Sequence, residues 1–295
     1  MTDNLRGALF MMASMATFTL NDACLKWLAG ALPTFQVVLL RGLLVCALIA
    51  ALAHATGALR MPIPPADRRP VALRSALEVA AFLPFVVALT RVPLSTITAI
   101  LQAAPLFITA AGALFLGEQV GWRRWTAIAV GLAGVLLIVR PGVEGFDAWA
   151  LLPLLTVALI TARDLVTRRI TRGTPSLKVA IFTAAGVTAL GAALSARETW
   201  APLDAGQGAV LALAAVFILG GYLFSILAMR VGEIAAVTPF RYTAMVWGLL
   251  LGVVLFAERP DPVMLLGAAM VVGTGLYTLW REGRAVPVPR PVAPR

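Results

Sequence analysis

Apolar residues run along the chain in ten stretches of 18 to 24 residues. They lie at about 5–28, 34–56, 72–90, 94–116, 122–139, 149–167, 176–195, 208–229, 234–257 and 262–280, separated by short breaks of charge, proline or glycine. A helix needs about 20 predominantly apolar residues to cross a hydrocarbon core of about 30 Å, so each stretch predicts one membrane-spanning helix. A count of eight or nine competes where connections are short, at Arg91–Pro93 and Arg230–Glu233. Ten is preferred because residues 72–116 are too long for one span and break at Arg91 and Pro93, while 208–257 break at Arg230, Gly232 and Glu233. The first stretch is long, ends in Asp22 and Lys26 and is followed at once by further spans, which argues against a cleaved leader. The segment 284–295, with Pro287, Pro289, Pro291 and Pro294, has no apolar face to bury and is expected to be a disordered cytoplasmic tail.

The pattern repeats. A shift of 142 places Asp22 on Asp164, Lys26 on Arg168, Pro33 on Pro175 and Val37 on Val179. A shift of 139 places Arg91-Val92 on Arg230-Val231, and 140 places Glu118 on Glu258. Five spans per copy is an odd number, so the second copy enters the membrane from the opposite side. The predicted fold is an all-α integral membrane protein with ten transmembrane helices in two inverted five-helix repeats, residues 1–142 and 143–283. Inverted halves about an axis in the membrane plane are a recurrent basis for alternating access, although a channel can also be built from them.

Composition supports residence in lipid: 60% of residues are hydrophobic, 13% are charged, and the mean hydropathy is +0.92. The net charge of +10 would suit a nucleic-acid binder, but its distribution excludes that reading. The side shared by the N-terminus, the even-numbered loops and the C-terminus carries Arg6, Arg60, Arg68, Arg69, Arg74, Arg123, Arg124, Arg168, Arg169, Arg172, Lys178, Arg230, Arg281, Arg284, Arg290 and Arg295. The opposite side carries only Lys26, Arg91, Arg140, Arg197 and Arg259, which predicts both termini in the cytoplasm. Cys24 and Cys46 fall within apolar stretches as packing residues, and His54 is alone, so neither a metal nor a cofactor is expected. One His and scattered carboxylates offer no convergent acid/base pair, and no enzymatic activity is expected.

Charges at the centre of a span cost about 2.5–3.5 kcal/mol on insertion scales, so those present mark protein-facing or wet positions. Arg41, Glu78, Arg163 and Arg241 are such residues. Arg41 and Arg241 read either as snorkelling to an interface or as opposite ends of one solvated pathway. Asp22 with Lys26 and Asp164 with Arg168 have i, i+4 spacing and are expected to pair, either to ease insertion or as gates. Arg163 is placed to reach a neighbouring acid. The stretch TPFRYTAMVWG collects Pro239, Phe240, Arg241, Tyr242 and Trp247, where an arginine beside aromatics suits a carboxylate or a ring. Thr98 and Gln102, before Pro105, and Tyr222 add neutral hydrogen-bonding groups. The candidate solute-binding set is Asn21, Asp22, Arg41, Glu78, Thr98, Gln102, Arg163, Asp164, Tyr222, Phe240, Arg241 and Tyr242.

The segments NDACLKWL at Asn21–Leu28, VPLSTITAILQAAPLFITAAGALFLGEQVGWRRW at Val92–Trp125, GLAGVLLIVRPG at Gly131–Gly142 and TPFRYTAMVWGLLLGVVLFAERP in the second half resemble the drug/metabolite transporter superfamily, specifically its ten-helix EamA-type members, from about residue 5 to 283. That resemblance implies a bacterial inner-membrane transporter, with a central cavity lined by the first, third, fourth, sixth, eighth and ninth helices. It implies a small zwitterionic solute, with export of amino acids, including aromatic ones, as the leading expectation. Uptake of S-adenosylmethionine or a related metabolite is the alternative, since Asn21-Asp22 and Phe240-Arg241-Tyr242 look more like uptake-type relatives. A passive channel or structural membrane subunit is the remaining reading. The expected partners are the solute, membrane lipids and a proton as coupling ion, with the chain a monomer or weak homodimer.

Overall fold

The computed structural model describes residues 2–116, 121–140, 147–171, 173–231 and 234–284. Among these residues ten helices long and apolar enough to cross a membrane follow one another: α1 (Asp3–Ala29), α2 (Thr34–Ala55), α3 (Pro65–Arg91), α4 (Leu94–Leu101 and Ala104–Leu116), α5 (Trp122–Val139), α6 (Leu151–Thr167), α7 (Ser176–Ser195), α8 (Ala205–Val231), α9 (Thr243–Phe256, entered through the 3-10 segment Thr238–Tyr242) and α10 (Pro262–Arg284). The sequence-predicted limits of α5 and α7 coincide with the observed ones. The third does not. Seven residues that include Asp67, Arg68 and Arg69 precede the apolar stretch, yet they continue the helix from Pro65, so Arg74 lies well inside α3 rather than in a loop. Glu118, the 284–295 tail beyond Arg284 and the Arg172 position lie outside the described residues.

Proline sets the start of several helices. Pro33, Pro64, Pro93 and Pro175 are N-caps of α2, α3, α4 and α7, with no side-chain cap hydrogen bond. Proline fixes φ and interrupts the preceding helix, but it cannot accept the free N–H groups of the first turn. Acids from the other half do so. The Glu198 carboxylate accepts from the Phe35 and Gln36 N–H groups of α2 at 3.1 and 2.9 Å. Glu258 accepts from the Leu94 and Ser95 N–H groups of α4 at 2.5 and 3.0 Å, and from Ser95 Oγ at 2.6 Å. Buried Asp67 accepts from the Thr171 and Thr174 hydroxyls just before α7. Each of these contacts joins the two halves.

The helix packing has the same organisation. The extensive contacts are α1 on α8 and α6 on α3, α1 on α9 and α6 on α4, α2 on α8 and α7 on α3, and the pairs α2–α7, α4–α9 and α5–α10. Exchanging the halves maps this set onto itself, as a pseudo-two-fold axis requires, whereas packing between helices of one half is sparse. The halves interlock. At the α5–α10 crossing the backbones touch: a Cβ on Gly134 would lie 2.6 Å from the Gly267 carbonyl oxygen. At α2–α7 a Cβ on Gly191 would lie 2.9 Å from the Leu39 nitrogen. Apolar clusters fill the rest, one around Leu25, Leu28, Leu89, Leu94 and Ile97, another around Ile100, Val135, Val157, Met264 and Val271.

Candidate functional site

Two polar clusters occupy the interior at pseudo-equivalent places. The first is built on α1 and α2. Arg41 and Asn21 are 3% and 4% exposed, deep between apolar helices, where an ion needs partners. Arg41 Nη1 donates to Asn21 Oδ1 at 2.8 Å, and Asn21 Nδ2 donates to Asp22 Oδ1 at 2.9 Å. The Arg41 guanidinium lies over the Phe82 ring of α3 at 5.6 Å, and its buried Nε has no acceptor. The order is cation, amide, anion. Asn21 stands between two opposite charges that do not touch each other. Tyr222 of α8 meets Phe18 of α1 edge to face at 5.4 Å and lies within electrostatic reach of Arg41, Glu78 and Arg163, so it sits between the two clusters.

The second cluster spans α3, α6 and α7, and here the charges are in contact. Arg163 Nη1 reaches both Glu78 oxygens at 2.8 and 2.9 Å, and its Nε and Nη2 reach Asp164 Oδ1 at 2.8 and 2.7 Å. Arg74 approaches Glu78 at 3.5 Å and donates to Thr183 Oγ1 at 2.9 Å. Side chains four apart share one helix face, so Arg74, Glu78 and Phe82 form a ladder on α3 with about 6 Å between rungs. Its middle rung, Glu78, holds Arg163, and its top rung, Phe82, lies against Arg41.

A third group ties the ends of α1, α3, α4 and α9 on the side opposite the N-terminus. Lys26 Nζ donates to the Leu89 and Val92 carbonyls at 3.1 and 2.6 Å, and it lies 3.9 Å from Glu258 and 5.4 Å from the Phe256 ring centre. The expected Asp22–Lys26 pair does not form. Lys26 extends to the unpaired carbonyls at the end of α3, and Asp22 takes its hydrogen bond from Asn21. Asp164 accepts from Arg163, the residue before it, and Arg163 does reach the neighbouring acid Glu78.

The remaining predicted residues divide differently. Thr98 is buried, donates to its own helix at Leu94 O (2.7 Å) and fills the space opposite Gly248, so it is a packing residue of the α4–α9 crossing. Gln102 sits at the break in α4, where Pro105 supplies no N–H, and its Nε2 donates to the Arg241 carbonyl at 3.1 Å. Arg241 and Phe240 lie in the 3-10 entry to α9 with exposed side chains. Tyr242 is buried against Gly275, where a Cβ would collide with its hydroxyl. Phe18, Phe82, Arg74 and the capping acid Glu198 were not among the sequence candidates. Phe82 carries a readable signal, being one turn beyond Glu78 on the same face. Among the described residues, no group of three or more His, Cys, Asp or Glu side chains could hold a metal ion.

Residues 5–140 match the EamA-like transporter family. A riboflavin transporter of Rhizobium johnstonii is 31% identical over 206 residues, 68% of this chain and 66% of its own length. An S-adenosylmethionine uptake transporter of Rickettsia prowazekii is 24% identical over 96% of this chain and 95% of its own. The pseudopaline exporter CntI of Pseudomonas aeruginosa is 23% identical over 90% and 93%. A solved crystal structure at 20% identity aligns over 95% of this chain and 99% of its own, with a TM-score of 0.65, a likeness of fold.

Proposed function

The chain belongs to the EamA-like transporter family, bacterial multi-pass membrane proteins that move small metabolites, and from that premise we propose that it takes up a bipolar metabolite of the S-adenosylmethionine class through the cluster around Arg41. The observation that carries this reading is the separation of Arg41 from Asp22 by Asn21. A guanidinium and a carboxylate in direct contact neutralise each other and have little left for a solute. Held apart by an amide, Arg41 meets the solute carboxylate and Asp22 its ammonium or sulfonium group. The Phe18–Tyr222 pair offers an edge and a face to a heteroaromatic ring.

Export of amino acids, the leading sequence expectation, has the weaker support. Relatives that align over nearly the whole chain include S-adenosylmethionine uptake transporters. A flavin, the solute named for the riboflavin transporter, has less need of a buried cation held apart from an anion. Further parts of the proposal are both termini in the cytoplasm, a monomer or weak homodimer, and halves divided near residue 142. If a proton is coupled, Asp22 carries it, because Glu78 is engaged by two guanidinium groups while Asp22 has an amide donor. Release requires that none of these contacts bind too tightly.

The test is uptake of labelled S-adenosylmethionine, riboflavin and phenylalanine into proteoliposomes, with and without an imposed pH gradient. Saturable uptake of S-adenosylmethionine alone is the expected result. Movement of phenylalanine or riboflavin in its place would overturn the solute assignment. Single-channel conductance without saturation would overturn transport by alternating access.

A further inference from the structure

The α5–α10 pair has unlike ends. On the side of the N-terminus a groove of about 360 Å³ opens between the two helices, lined by Trp122, Arg123, Val130, Gly273, Thr274 and Tyr277. The Arg123 guanidinium lies 5.3 Å from the Trp122 ring centre, is exposed, and has no carboxylate within 4 Å among the described residues. Tyr277 pairs with Trp280 at 6.3 Å on the far wall. A Cβ on Gly273 would meet nothing within 4 Å, so the floor is open. At the opposite end of the same helix pair the positions 140 residues away are Pro262 for Trp122, Val263 for Arg123 and Leu137 for Tyr277. The arginine at that end, Arg140, is neutralised by Asp261. The basic, aromatic groove therefore does not come from the repeat, which would have placed it at both ends.

We propose that this groove binds an anionic phospholipid, with the phosphate on Arg123 and an acyl chain against Val130 and Gly273. At about 30 Å³ for each water-sized group, the groove has room for about twelve, a segment of one acyl chain with its ester. Aromatic side chains such as Trp122 and Tyr277 favour the headgroup level, and a basic pocket between helices selects a negative headgroup over a zwitterionic one. Charge complementarity distinguishes this occupant from a second copy of the chain, whose same groove would bring two Arg123 side chains together.

The experiment is thermal unfolding of the purified full-length protein in neutral detergent, with added phosphatidylglycerol, phosphatidylcholine or inorganic phosphate. Phosphatidylglycerol is expected to raise the midpoint by about 5 °C more than phosphatidylcholine. Arg123→Ala should remove most of that difference, and Arg6→Ala should leave it intact. Gly273→Leu, which fills the open floor, should also remove it and serves if Arg123→Ala fails to fold. Equal shifts with both lipids would overturn the proposal, as would an equal shift from inorganic phosphate. A dimer in lipid-free detergent that Arg123→Ala dissociates would give the groove to a second copy and overturn it as well.

Discussion

Asn21, Asp22 and Arg41 in the first half stand where Arg163, Asp164 and Thr183 stand in the second, each 142 residues on. The backbone addresses are equivalent, and the chemistry is not. In the first half the cation is on α2 and an amide separates it from the acid. In the second the cation is on α6, beside its acid in sequence, and a second acid from α3 closes on it. Moving one guanidinium by one helix turns a separated pair into a closed one. Closed networks hold helices together, and separated charges remain available. With the proposed function, the duplication supplies one strut and one receptor from the same plan.

Breaking the strut should have the largest effect. Arg163→Ala leaves Glu78 and Asp164 without their shared cation, and it is expected to cost about 3 kcal/mol, the low end for breaking a buried pair because these side chains are partly exposed. Thermal unfolding of purified protein measures this, and Glu78→Gln in the same chain should recover part of the loss. If Arg163→Ala instead kept its midpoint and lost only transport, the roles of the two clusters would be reversed.

The receptor is tested by making it resemble the strut. Asn21→Asp gives Arg41 a direct carboxylate, and transport is expected to fall at least about tenfold, the value of 1.4 kcal/mol, with the folded yield kept. Arg41→Ala should fall as far, and Arg41→Lys should retain some activity with a raised KM, since a lysine offers a charge without the planar fork. Wild-type rates in Asn21→Asp would sink the idea that separation matters.

A smaller effect is expected at the group around Lys26 and Glu258 that ties the helix ends. Glu258→Gln weakens the acceptor for three donors at the start of α4 and removes the charge facing Lys26, for about 1 kcal/mol, a typical helix-cap value. Unfolding midpoints at fixed detergent concentration report it.

The smallest effect is expected at Asp261, outside the spans. The Met264 N–H and the Arg140 guanidinium hold its carboxyl below the ordinary carboxylate range. A depressed native value contributes stability that is complete above the ordinary range of about 4 and fades as pH falls through the native value. The difference in midpoint between wild type and Asp261→Asn should therefore be present at pH 7 and shrink below about pH 4. A difference that grew on acidification would contradict the sign.

Hydropathy made the spans legible, because crossing lipid is a property of each stretch alone. The repeat was legible too, through Asp22 with Asp164 and Glu118 with Glu258. What escaped was pairing across the halves. Lys26 has an acid four residues before it, and nothing local reveals that three groups from α3 and α9 surround it instead. Thr98 and Arg241 looked like neighbours of a solute by residue type, but burial put one into a helix crossing and the start of α9 put the other at an end. Arg41 was found because a buried arginine is rare. Its significance depends on Asn21, whose role as a spacer appears only when α1 and α2 are side by side.

The capping carboxylates also order events during synthesis. The first turn of α2 waits for Glu198, 163 residues after Phe35, and that of α4 waits for Glu258, 164 residues after Leu94. At about 5–20 residues per second, the ribosome takes roughly 8 to 33 seconds to deliver either acid. Through that interval the starts of α2 and α4 lack these acceptors. They stay solvated at the lipid surface or bound by the insertion machinery until the second half arrives. Assembly is completed from the C-terminal side, and a chain stopped after residue 142 would be a substrate for quality control rather than half a transporter.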